Sequence, residues 1–339
     1  MRRLRLAAGA AAVSLLALAA CGTTGGGAGS TQQPNQQGQP KEVSQVTIGF
    51  AQRQLDAPYF AAMQAVAEDM AKQQGFKLLF QNANGDPVTQ LNQVQTMLSQ
   101  GVSAVVVDAI SPETQRHQLE QVANQVPLIF MDTIIPGVGL TGVQSDNKQI
   151  GTLSGELTAK RFDPQKPIKV AILNGGPNDE LVGPARQEGF LAGLKNGGVN
   201  YAVVASATAT YTQEQAVPAT ESMLAAHPDL DLIVGLNDSM TLGALKVLRD
   251  QGNTKTLVAA AADGQKEALA EIAKGGCTGQ YVSTGLNSPR LATEQAFDIA
   301  IKVATGAADP KTVQPHSFTK AAGIGCDNVA EYYDPGSIF

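Results

Sequence analysis

Polar side chains stand immediately after apolar runs at several points in this chain, and the chemistry they offer is hydrogen bonding. Gln52, Arg53 and Asp56 follow the run Val46–Phe50, with Tyr59 and Phe60 just beyond. Asp132 ends Leu128–Met131, Asn174 and Arg186 flank Ile168–Leu173, Asn237 and Asp238 end Leu232–Leu236, and Asp263 follows Thr256–Ala259. A carboxylate accepts from paired hydroxyls, an Asn both donates and accepts, and an Arg donates through a rigid fork. Taken singly, Asp263-Gly264 reads as a turn and Asp56-Ala-Pro58 as a helix cap. The chain shows no Gly-x-Ser-x-Gly elbow, no His-Glu-x-x-His and no Gly-x-Gly-x-x-Gly after its first apolar run. His117, His227 and His316 are scattered, without ligand spacing to a cysteine. The expectation is a binding protein, not an enzyme, with no cofactor and no metal.

Strand-like apolar runs alternate with amphipathic stretches from Gln45 onward. Strands are expected at Val46–Phe50, Phe76–Phe80, Ala104–Val107, Pro127–Met131 and Thr141–Val143, then at Ile168–Leu173, Tyr201–Val204, Leu232–Leu236, Thr256–Ala259 and Gln280–Val282. The spacing predicts helices over Pro58–Gln74, Pro87–Gln100, Pro112–Asn124, Gln149–Arg161, Leu181–Lys195, Thr212–Ala226, Gln265–Lys274 and Pro289–Thr305. Another follows Leu236, with Asp238 or Ser239 as its cap and Met240, Leu242, Ala244, Leu245 and Leu248 as its packing stripe. Strands separated by helices imply parallel sheets with right-handed crossovers. That many strands exceed one comfortable sheet, so the α/β fold class here means two doubly wound parallel-sheet domains. Such sheets bind ligands at the carboxyl ends of their strands, where the polar residues above converge.

The first twenty residues read as a targeting segment: Arg2, Arg3 and Arg5, then an apolar run from Leu6 to Ala20. Leu18-Ala19-Ala20-Cys21 resembles a bacterial lipoprotein signal, in which Cys21 receives lipid. Residues 21–44 are rich in Gly, Gln, Thr and Pro and read as a flexible tether. The formal charge of −6 and the lack of a basic patch argue against nucleic acid. Beyond Cys21 only Cys277 and Cys326 remain, and in an exported chain that pair is most simply a disulfide.

Seven segments, in order, resemble the ribose-type periplasmic sugar-binding family. Asn237-Asp-Ser-Met-Thr-Leu-Gly-Ala-Leu245 is similar to its Asn-Asp-x-x-Ala-x-Gly-Ala segment, and Leu55-Asp-Ala-Pro-Tyr-Phe60 to its opening helix. Met131-Asp132 resembles its strand-end Asp, and Gln144-Ser-Asp-Asn147 its first hinge crossing. Arg186-Gln-Glu-Gly-Phe190, Ala225-Ala-His-Pro-Asp229 and Ala262-Asp263-Gly264 also match. The likeness runs from about Gln45 to Ala308 and implies a Venus-flytrap of the type I periplasmic-binding fold, two lobes joined by a three-strand hinge. The expected lobes are 45–145 plus 284–316 and 146–283 plus 317–339.

The resemblance also implies site roles. Tyr59, Phe60 and Tyr211 would offer rings to a sugar's C–H faces. Asp132 and Asp263 would accept from hydroxyls, Asn237 would donate and accept, and Arg53 or Arg186 would donate to oxygens. Asp56 joins this set, and Ser283 or Asn287 would serve near the second crossing. Departures from the ribose pattern fall at Arg53, Ala57, Thr133 and Pro184, which favours another pentose or hexose, a linear polyol or an autoinducer-type furanosyl ligand. The implied function is an extracytoplasmic, lipid-anchored monomer that delivers a small sugar or polyol to the permease subunits of an ABC importer. The other reading is a sensor that presents its ligand to a membrane receptor kinase.

Overall fold

A computed structural model describes residues 40–339 except 178 and 180. The targeting segment, Cys21 and most of the tether lie outside the described residues. The folded part starts slightly before the expected boundary. Val43–Gln45 forms a single helical turn whose Val43 packs on the first core, and Lys41 N donates to Thr305 O at 2.8 Å.

The N-terminal lobe runs β1 (Thr47–Gln52), α1 (Pro58–Gln74), β2 (Lys77–Asn82), α2 (Pro87–Ser99), β3 (Ala104–Val107), α3 (Pro112–Ala123), β4 (Leu128–Met131) and β5 (Thr141–Gln144). The C-terminal lobe follows with α4 (Asn147–Ala159), β6 (Ile168–Asn174), α5 (Val182–Asn196), β7 (Tyr201–Thr208), α6 (Gln213–Ala226), β8 (Leu232–Gly235), α7 (Asp238–Asp250), β9 (Leu257–Ala260) and α8 (Lys266–Gly275). The chain then crosses back and forth through β10 (Ser283–Gly285), α9 (Pro289–Thr305), β11 (His316–Phe318) and β12 (Gly323–Gly325). The first sheet is wholly parallel in the order β11-β5-β4-β3-β1-β2, and the second is parallel in the order β7-β6-β8-β9.

Both sheets are covered on two faces, which is why β3, β4 and β8 are buried at every residue. Two apolar clusters flank the first sheet; one holds Phe50, Phe297 and the α1 residues Met63 and Val66, the other Leu119, Phe130 and Met97. The second lobe has one continuous core around Phe190, Ile172 and Met240. Proline sets the first turn of α1, α2, α3 and α9, where its missing N–H is no loss.

Three crossings join the lobes and are bonded to one another. Ser145 and Thr319 share a buried hydroxyl–hydroxyl bond of 3.0 Å, and Thr319 N donates to Gln144 O at 2.9 Å. Leu286 N donates to Ala322 O at 2.8 Å. The crossing points differ from the expected ones by a few residues. β10 pairs antiparallel with β12 on the C-terminal lobe, so residues up to Gly285 stay there; β11 pairs with β5, so residues up to Phe318 belong to the first sheet. Strands of three residues carry too little periodicity to place a boundary. The expected strand Gln280–Val282 is reduced to a single parallel bridge between Tyr281 and Val258.

Helices α4 and α5 meet backbone to backbone. A Cβ on Gly189 would lie 2.1 Å from Lys148 O, and one on Gly155 would lie 2.2 Å from Phe190 O. Neither position tolerates a side chain without moving a helix.

Candidate functional site

The carboxyl edge of the first sheet supplies one wall of polar residues. Arg53 follows β1, Asp108 follows β3, and Asp132 and Thr133 follow β4, while Tyr59 and Phe60 lie in the first turn of α1. Arg53 Nη1 donates to Thr133 Oγ1 at 3.1 Å, and its guanidinium lies 5.5 Å from the centre of the Phe60 ring. Asp132 holds a left-handed backbone with φ 62°, which Asp tolerates better than most residues. Asp108 is fully buried, and neither of its carboxylate oxygens has a hydrogen-bond partner; Arg53 Nε also lacks one. Burial pushes the Asp108 carboxyl well above the usual range, Arg53 opposes that rise, and Asp132 adds to it.

The second wall comes from the C-terminal lobe. Arg186, in the second turn of α5, is 5 % exposed. Its Nε donates to Asn147 Oδ1 at 2.9 Å, and its Nη1 donates to Leu236 O at 3.2 Å and lies 3.4 Å from Asp263 Oδ1. Desolvation works against the guanidinium, but Asp263, Tyr211, Asp132 and Tyr59 together hold its pKa above normal. Tyr211 lies under the same guanidinium at 5.9 Å and donates its hydroxyl to Asp179. Asp263 is itself raised by burial, with Arg186 and Asn287 pulling the other way.

A hinge residue connects the walls. Asn287 Nδ2 donates to Asp263 Oδ1 at 3.2 Å, while its Oδ1 lies 3.2 Å from the Tyr59 hydroxyl. The same hydroxyl is 3.1 Å from Asp132 Oδ1, so one phenol proton serves two acceptors. Burial and the nearby Asp132 and Asp263 carboxylates keep Tyr59 protonated. The result is a continuous polar chain, Arg186–Asp263–Asn287–Tyr59–Asp132, running from one lobe through the hinge to the other.

Eight of the expected residues thus gather around this chain: Arg53, Tyr59, Phe60, Asp132, Arg186, Tyr211, Asn237 and Asp263. Two do not. Asp56 is exposed and accepts from Gln54 Nε2 at 2.7 Å. Ser283, the first residue of β10, is fully buried against α4, where it bonds to Ser154 Oγ at 2.9 Å and Thr158 Oγ1 at 2.7 Å; the alternation of β10 turns it toward α4, and Asn287 takes the hinge position instead. The cap of α7 also differs from expectation. Asn237 Oδ1 accepts from Met240 N at 2.9 Å, and its Nδ2 donates to Tyr211 O at 3.2 Å. Asp238 is no cap for its own helix. It accepts from Gly264 N at 2.7 Å, Gln265 N at 2.6 Å and Tyr281 Oη at 2.6 Å, joining α7 to the start of α8.

Asp108 and Asn147 were not singled out as site residues in the sequence. Asp108 carried the same signal as Asp132, an acid directly after a buried apolar strand, whereas Asn147 acts only through its distant partner Arg186. The histidines stand apart from the polar chain: His117 bonds Gln121, and His316 lies against Phe318. Among the described residues, only Cys277, Cys326 and Asp327 gather at metal-ligand spacing, and there the two sulfurs face each other at 2.02 Å.

Comparison with known proteins agrees with this fold. Residues 48–308 match the model of the periplasmic binding protein domain. The ribose import binding protein RbsB of Bacillus subtilis is 29% identical over 270 residues, covering 79% of this chain and 85% of that protein. A xylitol-binding protein of Mycolicibacterium smegmatis is 26% identical over 253 residues, covering 72% of this chain and 69% of that one. The crystal structure of an ABC transporter solute-binding protein from Mycobacterium smegmatis with bound glycerol superposes with a TM-score of 0.76 at 28% identity, covering 86% of this chain and 98% of that one. These relatives are binding proteins rather than enzymes. The chain belongs to the periplasmic binding protein domain family.

Proposed function

We propose that this protein captures a small sugar or polyol between its lobes, outside the cytoplasmic membrane, and delivers it to an ABC importer. The observation that carries this reading is the buried, unpartnered Asp108 carboxylate beside Arg53 Nε and the Tyr59–Asp132 pair. Buried polar atoms without partners are rare and costly, and a ligand bearing several hydroxyls supplies the donors and acceptors they need. Asp108 and Asp132 accept from adjacent hydroxyls, Arg53 and Arg186 donate to oxygens, and Tyr59, Phe60 and Tyr211 cover C–H faces. Arg53 and Thr133 stand where the ribose type has other residues, so the ligand is a different pentose, a hexose or a linear polyol.

Upstream, Cys21 is the lipid anchor that holds the protein to the membrane, and Cys277 with Cys326 forms a disulfide suited to that compartment. Their Cα atoms are 5.1 Å apart, within disulfide reach.

A thermal-shift screen of the protein lacking its first 21 residues tests the reading, using D-ribose and the other pentoses, hexoses, xylitol and other linear polyols, and a furanosyl autoinducer. One ligand at 100 times its Kd should add about 2.7 kcal/mol of stability without being turned over. Silence across the whole panel refutes it.

A further inference from the structure

Residues Asp334–Phe339 leave one lobe and finish on the other. Tyr332 and Tyr333 pack against the C-terminal lobe core. Lys266 Nζ, at the start of α8, donates to Ser337 O at 2.6 Å. Inside the segment, Gly336 N donates to Asp334 Oδ1 at 2.8 Å and Ser337 Oγ donates to Phe339 O at 2.7 Å. Phe339 then packs on the N-terminal lobe core, its ring 5.6 Å from that of Tyr59 and inclined at 80°. Phe60 meets the same ring edge-on at 5.5 Å. Tyr59 is therefore held by its hydroxyl in the polar chain and by its ring between two other aromatics.

We propose that Asp334–Phe339 is a fourth, non-covalent connection between the lobes, through which Phe339 positions the Tyr59 ring for ligand. Its two attachments, Lys266 to Ser337 and Phe339 to Tyr59, are two residues apart along the chain. Two residues reach about 7 Å at full extension, so lobes that swing further apart must release one attachment. The ring is thus braced when the lobes are together and freed when they part, which ties ligand contact to closure. The proposal rests on the solute-binding reading only in that Tyr59 touches ligand.

The chain contains no Trp, so Phe339→Trp supplies a single fluorescent reporter. The probe is whichever of the pentoses, the hexoses, xylitol and the other linear polyols, and the furanosyl autoinducer raises the melting temperature of the unsubstituted protein. On adding it, the tryptophan emission should shift. Phe339→Ala and Lys266→Ala should bind the probe roughly 3- to 10-fold more weakly and release it faster, the range set by loss of an aromatic pair. Phe339→Tyr should restore binding, and the unliganded melting temperature should hardly move. Removal of residues 334–339 should reproduce the Phe339→Ala result. Unchanged affinity and release rate in Phe339→Ala, with an emission that ignores the probe, overturn the proposal. Should no panel member bind, the functional reading fails on its own and the connection is read in unliganded protein. Faster amide exchange in the first turn of α1 of Phe339→Ala then supports it, and exchange equal to the unsubstituted protein overturns it.

Discussion

The two walls of the candidate site are built differently. On the C-terminal side the polar atoms are committed to the protein. Arg186 reaches Asn147, Leu236 and Asp263, Asn237 uses its oxygen and nitrogen within its own lobe, and Asp238 accepts from three donors. On the N-terminal side Asp108 has no partner for either oxygen, and Arg53 keeps Nε unpaired. One wall is set before ligand arrives, and the other carries unmet hydrogen-bonding capacity. Each buried unmet group costs about 1–3 kcal/mol. On the proposed function the N-terminal wall trades stability for affinity, and substitutions in the C-terminal wall should strike folding as well as binding.

The largest test of this contrast is Arg186→Met, which strands Asp263 in the interior. Urea unfolding should show a loss of about 3–5 kcal/mol. A loss below 1 kcal/mol would mean the wall is not held by this pair.

Asp238 gives a pH test of the same wall. Burial and the Asp263 charge push its carboxyl up to about 7, against hydrogen bonds from Tyr281 and Gln265. A folded value above the unfolded one means the folded state holds a proton the unfolded state has lost. Stability from this group is full below the unfolded value and falls as pH climbs to about 7, by about 2–4 kcal/mol. Burial raises Asp108 and Asp263 in the same direction. Melting temperature should therefore decline from pH 5 to pH 7.5, and Asp238→Asn should flatten that decline.

On the other wall, Asp132→Asn keeps the left-handed backbone accessible, since Asn also tolerates it. Binding should weaken by about 1.5–3 kcal/mol in calorimetry, with little change in unliganded stability. Asp108→Asn replaces a buried carboxyl that has no hydrogen-bond partner, so the unliganded protein should gain roughly 1 kcal/mol while ligand affinity drops. A destabilised Asp108→Asn protein would collapse the contrast between the walls. The smallest effect belongs to Asp56→Ala, exposed and outside the polar chain, which should alter stability by under about 0.5 kcal/mol and leave binding intact.

Much of the fold was legible because local chemistry marks it. A proline at the first helical position fixed the starts of α1, α2, α3 and α9, and the four-residue run Ala104–Val107 had no reading other than a buried strand. β7 was longer than expected, extending to Thr208 through Ala, Ser and Thr that show no apolar pattern. The site was legible as a set of strand ends but not as a set of pairs. Asn237 and Asp238 are both short acceptors at a helix start, and only residues 26 or more positions away decide which one caps. The Tyr59–Asn287 contact spans 228 positions, a partnership that no spacing rule encodes. Ser283 looked suitable by type, yet the facing of one three-residue strand turned it away.

The glycine contact between α4 and α5 has a mechanical consequence. α4 begins directly after the first crossing, with Asp146 capping it and Asn147 as its first residue, and α5 carries Arg186. No side chain lies between the helices at Gly155 and Gly189 to absorb a displacement. A rotation about Ser145 would reach the guanidinium without slack, so the helix pair forms a lever whose fulcrum is the hinge and whose far end is Arg186.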